Sequence, residues 1–228
     1  MAPQRLAHRP FAPLKIVVTG PDGSGKSTTC RTLVEALTQA LPGEIVREVA
    51  IWDALGSSAF PDKATVLEHA AELTGAARTL FIFQLYAQAM ALAEQSQATV
   101  LVCNGHWFKY AVSELGYGVP ESAVLGAARV FGPVDITFYL ALDPTEAWRR
   151  RQRASIYEQG LITKGSQQTS WLSEEERFIV FQRHLGRHWQ KMAREYGPWL
   201  TLGPSYSKEQ RAETILAHVL ALYRAKAA

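Results

Sequence analysis

Apolar residues along the chain fall into two alternating kinds of run. Short runs rich in β-branched and aromatic residues occur at Leu14–Thr19, Glu44–Val49, Thr99–Cys103, Asp135–Leu142 and Trp199–Leu202. Their continuous apolar character is that of strands buried on both faces. Longer segments lie between them. Ser27–Gln39 carries Cys30, Leu33 and Leu37 at helical spacing, helix resumes near Lys63, and Ala76–Gln95 reads as one long, largely buried helix. Pro120–Arg129, a segment opened by Asp143-Pro144-Thr145-Glu146, another opened by Ser173-Glu174-Glu175-Glu176, and Lys208–Ala225 complete the helices. Pro42-Gly43 and Gly197-Pro198 act as stops. Strand and helix in strict alternation predict an α/β fold of three layers, a five-stranded parallel sheet with helices on both faces and right-handed crossovers.

Two interruptions mark where ligands would be handled. Asn104-Gly105-His106-Trp107 breaks the pattern at the C-terminal end of the third strand, where a parallel sheet presents its ligand-facing loops. From about 154 to 172 the chain is polar and glycine-punctuated, which predicts a mobile lid. About 1–12, with Pro3, Pro10 and Pro13 among basic residues, reads as a loose arm on a single domain of 228 residues.

Composition adds mainly exclusions. No run is long and apolar enough to cross a bilayer, and the N-terminal stretch lacks the apolar core of a secretion signal, so a cytoplasmic protein without membrane contact is expected. Cys30 and Cys103 lie inside apolar segments and read as buried free thiols, and the six histidines show no ligand spacing. A net charge of +3 is too mild to argue for a nucleic-acid partner. Its distribution is less even: Arg149, Arg150, Arg151 and Arg153 place four guanidinium groups in five positions. That density suits a border with a triphosphate, with an exposed basic helix end as the competing reading.

The chemistry is carried by Gly20-Pro21-Asp22-Gly23-Ser24-Gly25-Lys26-Ser27-Thr28, which fills every fixed position of the phosphate-binding pattern G-x-x-x-x-G-K-S/T between a strand and a helix. Glycines there let successive backbone N–H groups turn inward as an anion nest, and the helix N-terminus adds positive potential. Gly20, Gly23, Ser24, Gly25, Lys26, Ser27 and Thr28 are therefore the expected ATP-binding residues, with Lys26 on the β and γ phosphates and Ser27 on Mg²⁺.

The order of parts resembles the thymidylate kinase family of nucleoside monophosphate kinases over nearly the whole chain. The resemblance rests on the Gly20–Thr28 loop with its internal acid, on Leu140-Ala141-Leu142-Asp143-Pro144 followed by Arg150 and Arg153, and on Arg177-Phe178 leading into a helix that ends Met192-Ala193-Arg194-Glu195-Tyr196. It implies that Asp22 contacts the sugar of an acceptor nucleotide, with bracing of the loop as its alternative role. Because Gly23 stands where some members have an arginine, it also implies that Arg150 and Arg153 serve catalysis from the lid beside Lys26. A homodimer packed through the long apolar helices is a further implication, although a monomer core would use the same residues.

The chain departs from that pattern in three places. Asn104-Gly105-His106 replaces an Asp-Arg-aromatic sequence that organises Mg²⁺ and binds the acceptor phosphate, and Glu48-Val49-Ala50-Ile51-Trp52-Asp53 replaces a proline-glycine-glycine turn. The long helix shows Phe81, Phe83, Gln84, Tyr86 and Gln88 in place of a base-contacting arginine. Asp53, Phe83, Gln84, Gln88, His106 and Trp107, together with Asp22, are the candidate acceptor contacts. Asp53 or Glu48 would act as a base or be a solvated loop acid, and the aromatic residues would line the acceptor or pack the core. The expected function is transfer of the γ-phosphoryl of ATP to a nucleoside monophosphate or related acceptor. The alternatives are phosphorylation of a hydroxyl on a nucleoside, modified base or specialised metabolite, and a nucleotide-dependent switch.

Overall fold

The computed structural model describes residues 12–151, 153–161 and 171–227. The five expected strands are present as β1 (Leu14–Thr19), β2 (Val46–Val49), β3 (Val100–Asn104), β4 (Ile136–Leu140) and β5 (Trp199–Leu202). All neighbours pair in parallel, in the order β2-β3-β1-β4-β5. Period-2 alternation divides the strand residues between two cores. Leu14, Ile16 and Val18 join Val100, Val102, Ile136, Phe138 and Leu140 on one face, whereas Val17, Leu101 and Cys103 face the other way.

Helices α1 (Lys26–Ala40) and α8 (Lys208–Ala227) cover the first face through Cys30, Leu33, Leu37, Ile215 and Val219. The second face is covered by α3 (Gly75–Gln95), α4 (His106–Gly116) and α7 (Glu174–Glu195). The three-layer arrangement is thus as the apolar pattern predicts, with α2 (Lys63–Glu72), α5 (Glu121–Ala128) and α6 (Pro144–Arg151) at the rim. Both cysteines are buried and free, one in each core. No helix of the described residues is long and apolar enough to cross a membrane.

Helix α4 is not anticipated by the sequence pattern, because Asn104-Gly105-His106 reads as a plain chain break. Gly105 and His106 instead both adopt positive φ, +86° and +53°, and this pair turns β3 directly into the helix. The first turns of α4 are apolar nearly all round: Trp107, Phe108, Tyr110 and Ala111 are buried. The arm at 1–11 lies outside the described residues, as do 162–170 of the expected lid. The described parts of that lid are 154–161 and 171–172, and the first of them is tied down. Tyr157 Oη donates to Glu114, Tyr117 Oη donates to the Tyr157 carbonyl, and Gln182 Nε2 donates to the Glu158 carbonyl.

Candidate active site

The site is built where β1 and β3, adjacent in the sheet, each run directly into a loop and a helix. Gly20 leaves β1 at φ +145°, and a Cβ there would come within 2.6 Å of the Leu140 carbonyl oxygen, so no larger residue fits this start of the loop. Gly25 caps α1 in the left-handed region at φ +91° without any side-chain cap, and the first turn holds no acidic residue. Among the described residues the N–H groups of that turn therefore lack a side-chain acceptor, and Ser24 Oγ is buried with no partner. Both observations fit an anion such as a triphosphate seated on the loop.

Lys26 is buried and curls back over the loop, donating to the Gly20 carbonyl at 3.0 Å and the Pro21 carbonyl at 2.7 Å. Burial, and then the neighbouring Lys109 ammonium, push its pKa down to about 8 against the opposing pull of Asp22. Asp22 lies 3.7 Å from Lys26 Nζ and 2.8 Å from Lys109 Nζ. Burial of its carboxylate disfavours the charge, but the two ammonium groups prevail and hold its pKa well below the usual carboxylate range. Lys109 is in turn raised, because Asp22 outweighs the burial of its own charge.

The β3 end is stitched onto the loop. Gly105 N donates to the Val18 carbonyl at 2.8 Å, and Thr19 Oγ1 donates to the Gly105 carbonyl at 3.1 Å. Asn104 Nδ2 donates both to Ser27 Oγ at 3.1 Å and to Glu48 Oε1 at 3.0 Å. A carboxylate only accepts, so the amide nitrogen must face Glu48. Ser27 is thereby linked through one side chain to the acid at the end of β2. An exposed hydroxyl at a helix N-terminus with a carboxylate beside it suits Mg²⁺, a hard cation that takes oxygen ligands. Among the described residues no group of three His, Cys, Asp or Glu side chains forms a metal site by itself.

The arginine cluster divides. Arg149 and Arg150 turn back to Glu146 on their own helix, and Arg153 is exposed. Arg151 takes the other direction: it pairs with Glu158 of the lid, and its Cδ would lie 3.2 Å from a Cβ at Gly23. Arg151 and Lys109 thus reach the loop beside Lys26; Arg151 was named only as one of the arginine cluster, and Lys109 was not a candidate. The arginine cluster pointed to the neighbourhood of Arg151. For Lys109 the available signal was its place one helical turn beyond Gly105.

The other sequence candidates are dispersed. His106 is 1% exposed, with its ring among those of Tyr86, Phe108 and Phe131, and Nδ1 has no partner among the described residues. Burial, with a smaller push from Lys15, drives its pKa down to about 3, so the ring is neutral. Trp107 packs on Phe108 and Tyr196, and Phe83 on Phe131, which makes both of these aromatic candidates members of the core. Gln84 and Gln88 lie on the exposed side of α3. Asp53 is exposed and accepts from Ala50 N at 2.9 Å, closing the short turn after β2.

Beside the loop, α3 and α4 are joined by a charged pair with almost no solvent contact. Arg78 Nε lies 3.1 Å from both oxygens of Glu114, and an Nη lies 3.0 Å from Oε2. Tyr157 of the lid donates to the same carboxylate at 3.2 Å, and Arg78 stacks 4.6 Å above the Tyr117 ring.

Comparison with known proteins agrees with the fold. The chain is 27% identical over 217 residues to a thymidylate kinase of Roseiflexus sp. (strain RS-1), covering 90% of this chain and 93% of that one. Its fold matches that of a deoxyadenosine kinase from M. mycoides, solved with the products dCMP and a flexible dCDP bound, at a TM-score of 0.54 and 14% identity. That match covers 91% of this chain and 100% of the other. No family model matches the chain.

Proposed function

We propose that this chain, a thymidylate-kinase-like P-loop kinase, moves the γ-phosphoryl group of ATP to a nucleoside monophosphate or a closely related nucleotide. One observation carries the reading: two lysines from different helices, Lys26 and Lys109, converge on the loop acid Asp22 beside the uncapped N-terminus of α1. Such a cluster supplies fixed positive charge on both sides of a transferring phosphoryl group, and that is the main protein contribution to this chemistry.

In the reaction an acceptor oxygen attacks the γ-phosphorus in line and ADP leaves. Loop N–H groups and Lys26 hold the β and γ phosphates. Ser27, with Glu48 held close by through Asn104, would hold Mg²⁺, which would supply Lewis-acid neutralisation of phosphate charge. Asn104 fixes the Ser27 hydroxyl and keeps the Glu48 carboxylate close by. Asp22 orients the acceptor sugar. Arg151, lying over Gly23 with Arg150 and Arg153 nearby in sequence, brings the lid cation that stabilises charge on the moving group and helps to exclude water.

One observation favours a second reading. Glu48 is half-buried and oriented by Asn104 at the acceptor side of the sheet, and a carboxylate so held would take the proton of an attacking hydroxyl. A phosphate oxygen needs no such base. Incubation with ATP, Mg²⁺ and separate panels of nucleoside monophosphates and nucleosides separates the two. Nucleoside diphosphate from a monophosphate supports the first reading. Product from nucleosides alone replaces it with the second.

A further inference from the structure

Lys109 is charged beyond what the loop requires. Asp22 carries one negative charge, and Lys26 and Lys109 both face it. Lys26 is buried and committed to the loop carbonyls, whereas the Lys109 side chain is a quarter exposed and spends one of its three N–H bonds on Asp22. The Lys109 stem lies directly over Gly105: a Cβ at Gly105 would sit 3.4 Å from Lys109 Cβ and Cδ. The bare glycine at the end of β3 thus leaves the corridor along which the lysine reaches from the first turn of α4 to the loop. That turn has no side-chain cap and no acidic residue, so its own N–H groups add to the positive potential.

We infer that Lys109 is the residue that recognises the phosphate of the acceptor, its ammonium bridging Asp22 and the acceptor 5′-phosphate oxygens, and that it makes the enzyme prefer monophosphates to nucleosides. This rests on the reading of the acceptor as a nucleotide. The ammonium is a compact point charge with rotatable donors, so it binds a second oxygen without releasing the first. Asp22 and Lys109 then act together, the carboxylate toward the sugar and the ammonium toward the phosphate.

The test measures binding at pH 7 of the four deoxynucleoside 5′-monophosphates and the four matching deoxynucleosides, with AMP-PNP as a separate probe of the donor loop. Wild type is expected to bind at least one monophosphate more tightly than its nucleoside. Lys109→Met should lose about tenfold to a hundredfold in affinity for that monophosphate, the range for hydrogen bonds to a charged group, and little for the nucleoside. Lys109→Arg should restore most of the preference; the readout is the ratio of monophosphate to nucleoside affinity within each variant, so any general weakening of the loop, followed by AMP-PNP binding and the melting temperature, divides out. Should Lys109→Met keep the wild-type preference, or lose affinity equally for monophosphate and nucleoside, Lys109 only neutralises Asp22 and the inference falls while the acceptor reading stands. If wild type binds no monophosphate more tightly than its nucleoside, the acceptor reading fails and takes the inference with it.

Discussion

Replacing Arg78 by Met tests whether the buried pair beside the site holds α3, α4 and the lid together. The arginine makes three contacts of 3.0 to 3.1 Å to Glu114, and the two side chains are 2% and 0% exposed. After Arg78→Met, Glu114 keeps, among the described residues, Thr79 at 3.3 Å and Tyr157 at 3.2 Å, two neutral hydroxyls facing a carboxylate without access to water. Breaking a buried pair by removing one partner costs about 3–5 kcal/mol. For a domain of this size, at about 2–4 °C per kcal/mol, the melting temperature should fall by roughly 6–20 °C. Because the cost comes from the stranded charge, Arg78→Met combined with Glu114→Leu should be more stable than Arg78→Met alone, with a coupling of about 2 kcal/mol or more in a double-mutant cycle. Urea unfolding of the four proteins gives that number. A single variant within about 1 kcal/mol of wild type, or a double variant whose losses simply add, would refute the argument.

Gly20→Ala places a methyl group 2.6 Å from the Leu140 carbonyl oxygen, which is backbone and cannot swing aside, so both stability and AMP-PNP affinity should drop; unchanged AMP-PNP binding by calorimetry would contradict the close approach. With Lys26 held down to about 8, AMP-PNP affinity should decline as pH rises past that value, by at most about tenfold per pH unit, and binding near pH 8.5 should take up a proton. Lys109→Met removes a repelling cation and should move that midpoint upward; affinity that stays flat to pH 9.5 in wild type would overturn this. His106 is held down to about 3, below its ordinary 6.5, so the unfolded chain takes the proton first and stability is lost as pH falls through that window. Wild type should therefore lose up to about 1.4 kcal/mol per pH unit more than His106→Gln between pH 6.5 and 4.5, and equal acid limbs in urea unfolding would show the ring to be accessible.

The layers of the fold were legible because each rests on a local signal. β5 begins and ends at the residues its apolar run marks, and α1 carries Cys30, Leu33 and Leu37 inward as their spacing requires. The turn from Gly20 to Thr28 was legible for the same reason, since the glycines that shape it are close together in sequence. The acceptor side was not, because it depends on contacts across the chain. Lys109 meets Asp22 only after Gly105 and His106 turn β3 into α4, and a histidine at φ +53° leaves no mark in an apolar pattern. Arg78 and Glu114 are 36 residues apart and nothing in either segment names its partner. His106, Phe83 and Trp107 show the reverse error: polar or aromatic residues near a loop suggested ligand contacts, and packing of the second core took them inside.

The central claim is that the loop, Lys26 and the Asp22–Lys109 pair transfer a phosphoryl group between nucleotides instead of releasing it to water. The most direct measurement follows γ-labelled ATP with Mg²⁺ and a nucleoside monophosphate, counting ADP and labelled product together in wild type and Lys26→Ala. The account predicts one labelled nucleoside diphosphate for each ADP in wild type and loss of both in the variant. ADP formed with free labelled phosphate and no labelled nucleotide, or full transfer by Lys26→Ala, would contradict it.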